Sequence, residues 1–249
     1  MRRFFVRSLE KPVLTGTEAL HAVKVLRLQP GAVIVVCDDE GHSAETEVTA
    51  VSEERVALQV RRVLDETTEA ELQLHILQGL AKGEKMEWVL QKTVELGCSF
   101  FAPIAAERSV LRLDAKKAAA RQERWERIAL EAAKQCKRSR IPEIRPVASL
   151  EAALAALPED SLLIVLYEDE QSLGLKEALA ALTERPRHVA VLIGPEGGLS
   201  PQEVAAVRQY GALVVRMGPR ILRTETAAVA AAAVIMYELG DLGGTSCQK

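Results

Sequence analysis

The stretch His188-Val189-Ala190-Val191-Leu192-Ile193-Gly194-Pro195-Glu196-Gly197-Gly198-Leu199-Ser200-Pro201-Gln202-Glu203 decides the fold. Val189 to Ile193 is a continuous apolar run, the pattern of a parallel strand covered on both faces. Gly194, Gly197 and Gly198 permit positive φ and let backbone approach a ligand closely. Ser200 fits a helix N-cap, Pro201 the first helical position, and Glu203 completes a capping box. A buried strand therefore runs into a glycine-rich turn and then a helix. In open α/β sheets that turn, at the carboxyl end of a strand, is where ligands bind. The spacing is not G-x-G-x-x-G, and the turn falls late in the chain, so a dinucleotide site fits less well.

A second segment, Met217-Gly218-Pro219-Arg220-Ile221-Leu222-Arg223-Thr224-Glu225-Thr226-Ala227-Ala228, repeats the theme. A strand near residues 212–215 ends in a Gly-Pro turn, and a helix starts near Thr224 with Thr224 or Arg223 in the cap region. Glu225 falls in the first turn, where its charge suits the helix dipole.

Outward from these segments, strands and helices alternate. Strands are expected from Leu72 to about Gly79, Phe100 to Ala105 and Leu162 to Leu166. Helices are expected from about Glu84 to Gly97, with Gly97 at C′, and from Lys116 to Arg138. This is an α/β domain with a mostly parallel sheet. Before it, residues 1–64 read differently. Ala32–Cys37, Val48–Val51 and Val56–Val63 are short strand candidates separated by turns, with one helix over Thr17–Leu26, as in a small β-barrel. The polar run Asp65–Glu71 reads as a linker, giving domains 1–70 and 71–249.

Among the 249 residues, 48% are hydrophobic and 27% charged, an ordinary globular composition. No apolar run approaches the roughly 20 residues that cross a bilayer, and the basic start lacks a signal-peptide core, so a cytoplasmic protein without membrane partners is expected. Cys37, Cys98, Cys136 and Cys247 form no C-x-x-C pair, and no metal site is expected. The net charge of −3 conceals a local excess: Glu107 to Arg145 holds twelve Lys/Arg against six Asp/Glu. Such a run is either a solvated helix face or a phosphate-binding patch.

The two segments together, G-P-E-G-G-x-S-x-x-E and M-G-x-R-I-L-R-x-E-T-A, resemble the paired motifs of the RsmE family of SPOUT methyltransferases. Lys85–Gly97 resembles its K-x-E-x-x-x-Q-K-x-x-E-L-G helix, Pro103–Ser109 its P-x-x-x-x-R-S segment, and Glu131–Arg138 its E-A-x-x-Q-x-x-R helix end. Arg3–Val6 and His21–Arg27 match in the first domain, so the resemblance covers nearly the whole chain. Met217 stands where Leu is usual, and Cys136 where Ser is common.

The resemblance implies a PUA-like RNA-binding barrel joined to a SPOUT domain with a deep trefoil knot. It implies a homodimer that methylates N3 of a uridine in 16S ribosomal RNA of the small subunit, using S-adenosylmethionine. It assigns the cofactor to Leu166, Gly194, Pro195, Glu196, Gly197, Gly198, Met217, Gly218, Ile221, Leu222 and Arg223. Arg223 becomes the leading candidate for positioning or charge stabilisation, with Glu196 and Glu225 as candidate bases. RNA phosphates would fall to Arg2, Arg3, Arg7, Lys24 and Arg27 in the first domain and to Arg108, Lys134, Lys137, Arg138 and Arg140 in the second. The small residues of the helix over Ala227–Leu239 suit either a dimer interface or burial within one subunit. Competing readings are a SPOUT enzyme acting on a tRNA base or a ribose 2′-hydroxyl, a non-catalytic ribosome-assembly factor, and a dinucleotide enzyme.

Overall fold

A computed structural model describes residues 3–65 and 68–244. Arg2 and Cys247 therefore lie outside the described residues. The chain divides into two compact units, one of Met1–Glu69 with Glu131–Ile141, the other of Ala70–Leu130 with Pro142–Lys249. The first unit takes back a segment that a single cut near residue 70 assigns to the second.

In the first unit, β1 (Arg3–Phe5), β2 (Val13–Thr15), β3 (Val33–Cys37), β4 (Ser43–Val51) and β5 (Arg55–Leu64) form one sheet in the order β1-β3-β4-β5-β2. Its β1–β3 pair is parallel and its other pairs antiparallel. Register shifts between Glu45 and Thr46 and between Val48 and Ala50 bend the long hairpin, so the sheet curls towards a barrel. Phe4, Leu14, Ile34, Val36, Val48 and Val56 fill its core. The helix expected over Thr17–Leu26 is two pieces, α1 (Gly16–Leu20) and a π-helical turn at His21–Val25. Arg27 follows with φ 50°.

The second unit holds a sheet in the order β11-β9-β10-β6-β7-β8, parallel throughout. Its strands are β6 (Gln73–Gly79), β7 (Cys98–Ile104), β8 (Glu143–Ile144), β9 (Leu162–Leu166), β10 (His188–Ile193) and β11 (Leu213–Val215). Its helices are α2 (Lys85–Glu95), α4 (Leu150–Ala155), α5 (Leu175–Ala180), α6 (Pro201–Gln209) and α7 (Thr224–Glu238), while α3 (Ala115–Gln135) begins in this unit and ends in the first. From β6 the sheet grows outward through β7 and β8, then resumes on the other side with β9 and β10. That reversal places a switch point beside β6 and β10, where ligand crevices form. The chain then goes to the edge strand β11 and returns through α7, which packs on α2, β10 and β6.

The apolar runs read as covered strands are covered: Val189 to Ile193 and Leu163 to Leu166 are buried. Gly97 adopts φ 93° just after α2, as a C′ residue does. Ser200 accepts a bond from the Glu203 amide, and Glu203 accepts one from the Ser200 amide, completing the capping box of α6. Of the two residues expected in the cap region of α7, Arg223 holds the N-cap position, without a side-chain bond, and Thr224 opens the helix with its hydroxyl bonded to Gly194.

Candidate functional site

The two loops after β10 and β11 meet over the carboxyl ends of β9 and β10, around a cavity of about 380 Å³. Leu166, Gly194, Pro195, Glu196, Gly198, Met217, Gly218, Ile221, Leu222 and Arg223 line it. Gly197 does not; its carbonyl accepts a bond from Arg108 Nη1 at 3.3 Å. Arg108 thus braces the glycine loop from outside.

Close backbone packing explains the glycines. A Cβ on Gly79, at the end of β6, would stand 2.5 Å from the Pro195 nitrogen. One on Gly194 would stand 2.9 Å from the Gly198 carbonyl carbon. Gly198, at φ 69°, lies against the Glu168 carboxylate. Buried Gln78 donates from Nε2 to Thr224 Oγ1 at 2.9 Å, and Thr224 Oγ1 donates to the Gly194 carbonyl at 2.6 Å. A side-chain relay therefore ties β6, the start of α7 and the glycine loop.

The cavity wall also contains residues the sequence reading passed over: Lys85, Tyr167, Glu168, Ile193, Arg216, Pro219, Arg220, Thr224 and Ala227. Tyr167 and Glu168 had a legible signal, since they directly follow the buried strand β9. Lys85 opens the helix whose motif was recognised, but nothing local says that it reaches the glycine loop. Its ammonium lies 2.9 Å from Glu196 Oε1 and 3.7 Å from Glu225 Oε2. The Lys85 pKa is raised, first by its bond to Glu196.

Glu196 also accepts the Lys82 amide at 3.0 Å. Burial pushes its pKa up, but the bonds from Lys85 and Lys82 outweigh this and leave it below the usual carboxylate value. A carboxylate held in its charged form is a poor proton acceptor, so the geometry favours an anchoring role for Glu196 over that of a base. Glu225 is held less tightly: its buried Oε2 lies 3.7 Å from the Lys85 ammonium, an ion pair without a hydrogen bond. Arg223 is exposed at the cavity rim.

The loop after β9 is clamped. Glu170 accepts from the Ser172 hydroxyl at 2.5 Å and amide at 2.8 Å, and pairs with Arg208 of α6 at 2.5 Å. These bonds, Ser172 first, bring its pKa down to about 2. Tyr167 and Glu168 are thereby presented from a fixed turn.

The expected phosphate contacts divide into two groups. Arg7, Lys24 and Arg27 are exposed and form no salt bridge among the described residues. Lys134, Lys137, Arg138 and Arg140 pack with the first compact unit. Arg138 is buried and grips Glu69 through Nε and Nη2 at 3.1 and 2.5 Å. Lys134 is enclosed beside Glu18 and Glu131. Both cations are paired with carboxylates inside this unit. Arg3 bonds the Lys137 carbonyl, and Arg140 the Glu40 carbonyl. The Lys137 side chain is exposed, on a residue with φ 63°.

No helix among the described residues is long and apolar enough to cross a membrane. No group of three His, Cys, Asp or Glu among them could hold a metal ion.

Residues 68–236 match the model of an RNA methyltransferase domain, and residues 14–61 that of an RNA methyltransferase PUA domain. The chain is 36% identical to ribosomal RNA small subunit methyltransferase E of Bacillus subtilis, covering 98% of this chain and 99% of the relative. The enzyme of that name from Neisseria gonorrhoeae, solved with S-adenosylmethionine bound, is 27% identical with a TM-score of 0.84, over 97% of this chain and 99% of its own. A protein from Legionella pneumophila, solved with the same cofactor, is 30% identical with a TM-score of 0.81, over 97% and 99%.

Proposed function

Since the chain belongs to the RNA methyltransferase family that includes ribosomal RNA small subunit methyltransferase E, we propose that the cavity between the two loops is where it methylates N3 of a uridine in that RNA. The chain is an S-adenosylmethionine-dependent methyltransferase of small-subunit ribosomal RNA, built from a PUA-like barrel and a SPOUT α/β-knot domain.

The observation that carries the reading is the meeting of both loops at one cavity. Its residues suit the cofactor. Leu166, Ile193, Met217 and Leu222 offer apolar walls to adenine and to the methionine chain. Gly194 and Gly198 bring backbone polar groups close, and Glu168 offers a carboxylate to ligand hydroxyls. When bound, the cofactor supplies a methyl group activated on a sulfonium.

The protein's share of the chemistry is alignment and charge. Uracil N3 carries a proton and attacks well only as that proton leaves. In this reading the Arg223 guanidinium, at the cavity rim, stabilises negative charge developing on a uracil oxygen. Glu225, whose Oε2 faces the Lys85 ammonium at 3.7 Å while Glu196 bonds it at 2.9 Å, is the less tightly held of the two carboxylates and our candidate to receive the proton. Arg7, Lys24 and Arg27 of the barrel hold RNA phosphates, giving salt-dependent affinity.

A homodimer accounts for the outer face of α7. Its inner residues Ala228, Ala231, Ala232, Ile235 and Met236 are buried, yet the outer ones, Ala230, Ala233, Val234 and Tyr237, are apolar too. A second copy covering that face explains a helix with no polar side. A ribosomal RNA substrate supports a cytoplasmic location.

Mass spectrometry of ribosomal RNA from cells lacking this gene tests the reading. One N3-methyluridine should disappear from the small subunit and return on complementation. An unchanged set of methyluridines would refute it.

A further inference from the structure

The second unit carries another groove, between the start of α2 and the first turns of α3, and it is basic. Arg112, Lys117, Arg121 and Arg124 line it, against Glu84 and Glu87. Two of these cations are already matched: Lys117 pairs with Asp114 at 3.0 Å and Arg124 with Glu87 at 2.6 Å. The other two are not. Arg112 donates only to the Glu107 carbonyl, at 3.4 Å, and neither it nor Arg121 forms a salt bridge among the described residues. Leu111 and Leu113 give the groove a half-exposed apolar wall.

The groove adjoins the methyl-donor cavity at the start of α2. Gly83 and Glu84 line the groove, and the next residue, Lys85, lines the cavity. The segment that supplies Leu111 to Leu113 begins at Glu107, whose amide donates to Glu203 at 2.9 Å, and at Arg108, which bonds Gly197. The segment that walls the groove is therefore tied to the glycine loop and to the start of α6. We propose that this groove holds the phosphodiester backbone of the RNA beside the target nucleotide, with Arg112 and Arg121 as its phosphate contacts. The inference rests on the reading of the chain as an RNA methyltransferase.

The physical argument is one of uncommitted charge. A cation already paired with a carboxylate gains little from a phosphate, because it must give up its partner. Arg112 and Arg121 give up none. Each phosphate neutralised releases counterions, so each contact adds about 0.7 to the slope of log affinity against log salt for single-stranded RNA. Leucine flanks suit the less polar faces of ribose.

The test is RNA binding by the full-length protein, titrated with salt, using small-subunit ribosomal RNA and no turnover. The Arg112→Glu/Arg121→Glu double variant should bind about tenfold or more weakly at moderate salt, with a slope smaller by about 1.4. Its S-adenosylmethionine affinity and melting temperature should match the unsubstituted protein. Should the double reversal perturb folding, Arg112→Gln/Arg121→Gln decides, with the same reduced slope expected. Arg185→Glu, exposed at the amino end of β10, controls for net charge and should change binding little. RNA affinity and slope left unchanged in the double variant, or lowered equally by Arg185→Glu, would overturn the proposal. Failure of the unsubstituted protein to methylate RNA would instead sink the enzymatic reading, while the binding arm still decides the groove.

Discussion

The Thr224 hydroxyl, on the first residue of α7, donates to the carbonyl of Gly194, at the end of β10, across 2.6 Å. Thirty residues separate them in the chain, and the bond closes the second loop onto the first. Because Gln78 in turn donates to Thr224, the hydroxyl is both acceptor and donor, and its rotamer is fixed. Thr224→Val removes both functions. It should cost about 1–3 kcal/mol of stability by leaving buried polar groups unpaired. Cofactor affinity should fall about tenfold, whereas Thr224→Ser should keep both. Calorimetric titration and thermal unfolding check this, and cofactor binding by the valine variant at full affinity would contradict it.

Gly79 abuts the backbone of Pro195, not a side chain that could turn aside. Gly79→Ala must therefore separate the ends of β6 and β10. The expected outcome is a loss of about 1–3 kcal/mol, typical of overpacking, together with loss of cofactor binding. Gly218→Ala is the comparison. Open space surrounds that position and only its φ of 76° is unfavourable, so a smaller loss is expected.

Arg223 is exposed and its side chain does not cap α7, so the fold does not depend on it. Arg223→Ala should lower the turnover number about 100-fold or more, the scale of a lost charge-stabilising donor, with little change in melting temperature. Single-turnover methylation of the RNA measures this. Turnover within about twofold of the unsubstituted protein would remove Arg223 from the chemistry.

Arg138 makes the opposite prediction. Its pair with Glu69 is largely buried, at 6% and 16% side-chain exposure, so Arg138→Ala takes the cation from a carboxylate that keeps only its bonds to Ser139 and Arg140 among those described. A cost of about 3 kcal/mol is expected in denaturant unfolding. The salt slope of RNA binding, measured below the unfolding transition, should stay the same. A reduced slope with unchanged stability would restore Arg138 to the phosphate contacts.

His75, buried against Phe100, has its pKa pushed down from 6.5 to about 4, first by burial and then by the nearby His188 ring and Arg145 guanidinium. Between those values the unfolded chain binds the proton more readily than the folded one. Stability is therefore full above pH 6.5 and falls as pH drops towards 4. The whole loss is at most about 3 kcal/mol. Urea titrations across this range should show that slope, and His75→Gln should flatten it. An equal slope in both proteins would show that other groups cause it.

Much of this protein was legible in its sequence because the signals are local. Val189 to Ile193 has the pattern of a covered strand. Ser200, Pro201 and Glu203 satisfy the first turn of a helix within four residues, so α6 starts where they say. Gly97 ends α2 for an equally local reason. The glycine loop was identifiable because only glycine permits such close backbone approach.

What only the tertiary structure decided is who meets whom. Lys85 reaches Glu196 and Glu225, and Gln78 reaches Thr224, across more than a hundred residues of chain, and no periodicity encodes such a meeting. Arg138 and Arg121 are alike in the sequence as basic residues of one segment. Burial beside Glu69 pairs the first inside the protein, while the second lines a groove, half-exposed. Sequence fixes the chemistry a side chain carries. Whether that chemistry is spent inside the protein or offered to a partner depends on the neighbours that folding brings to it.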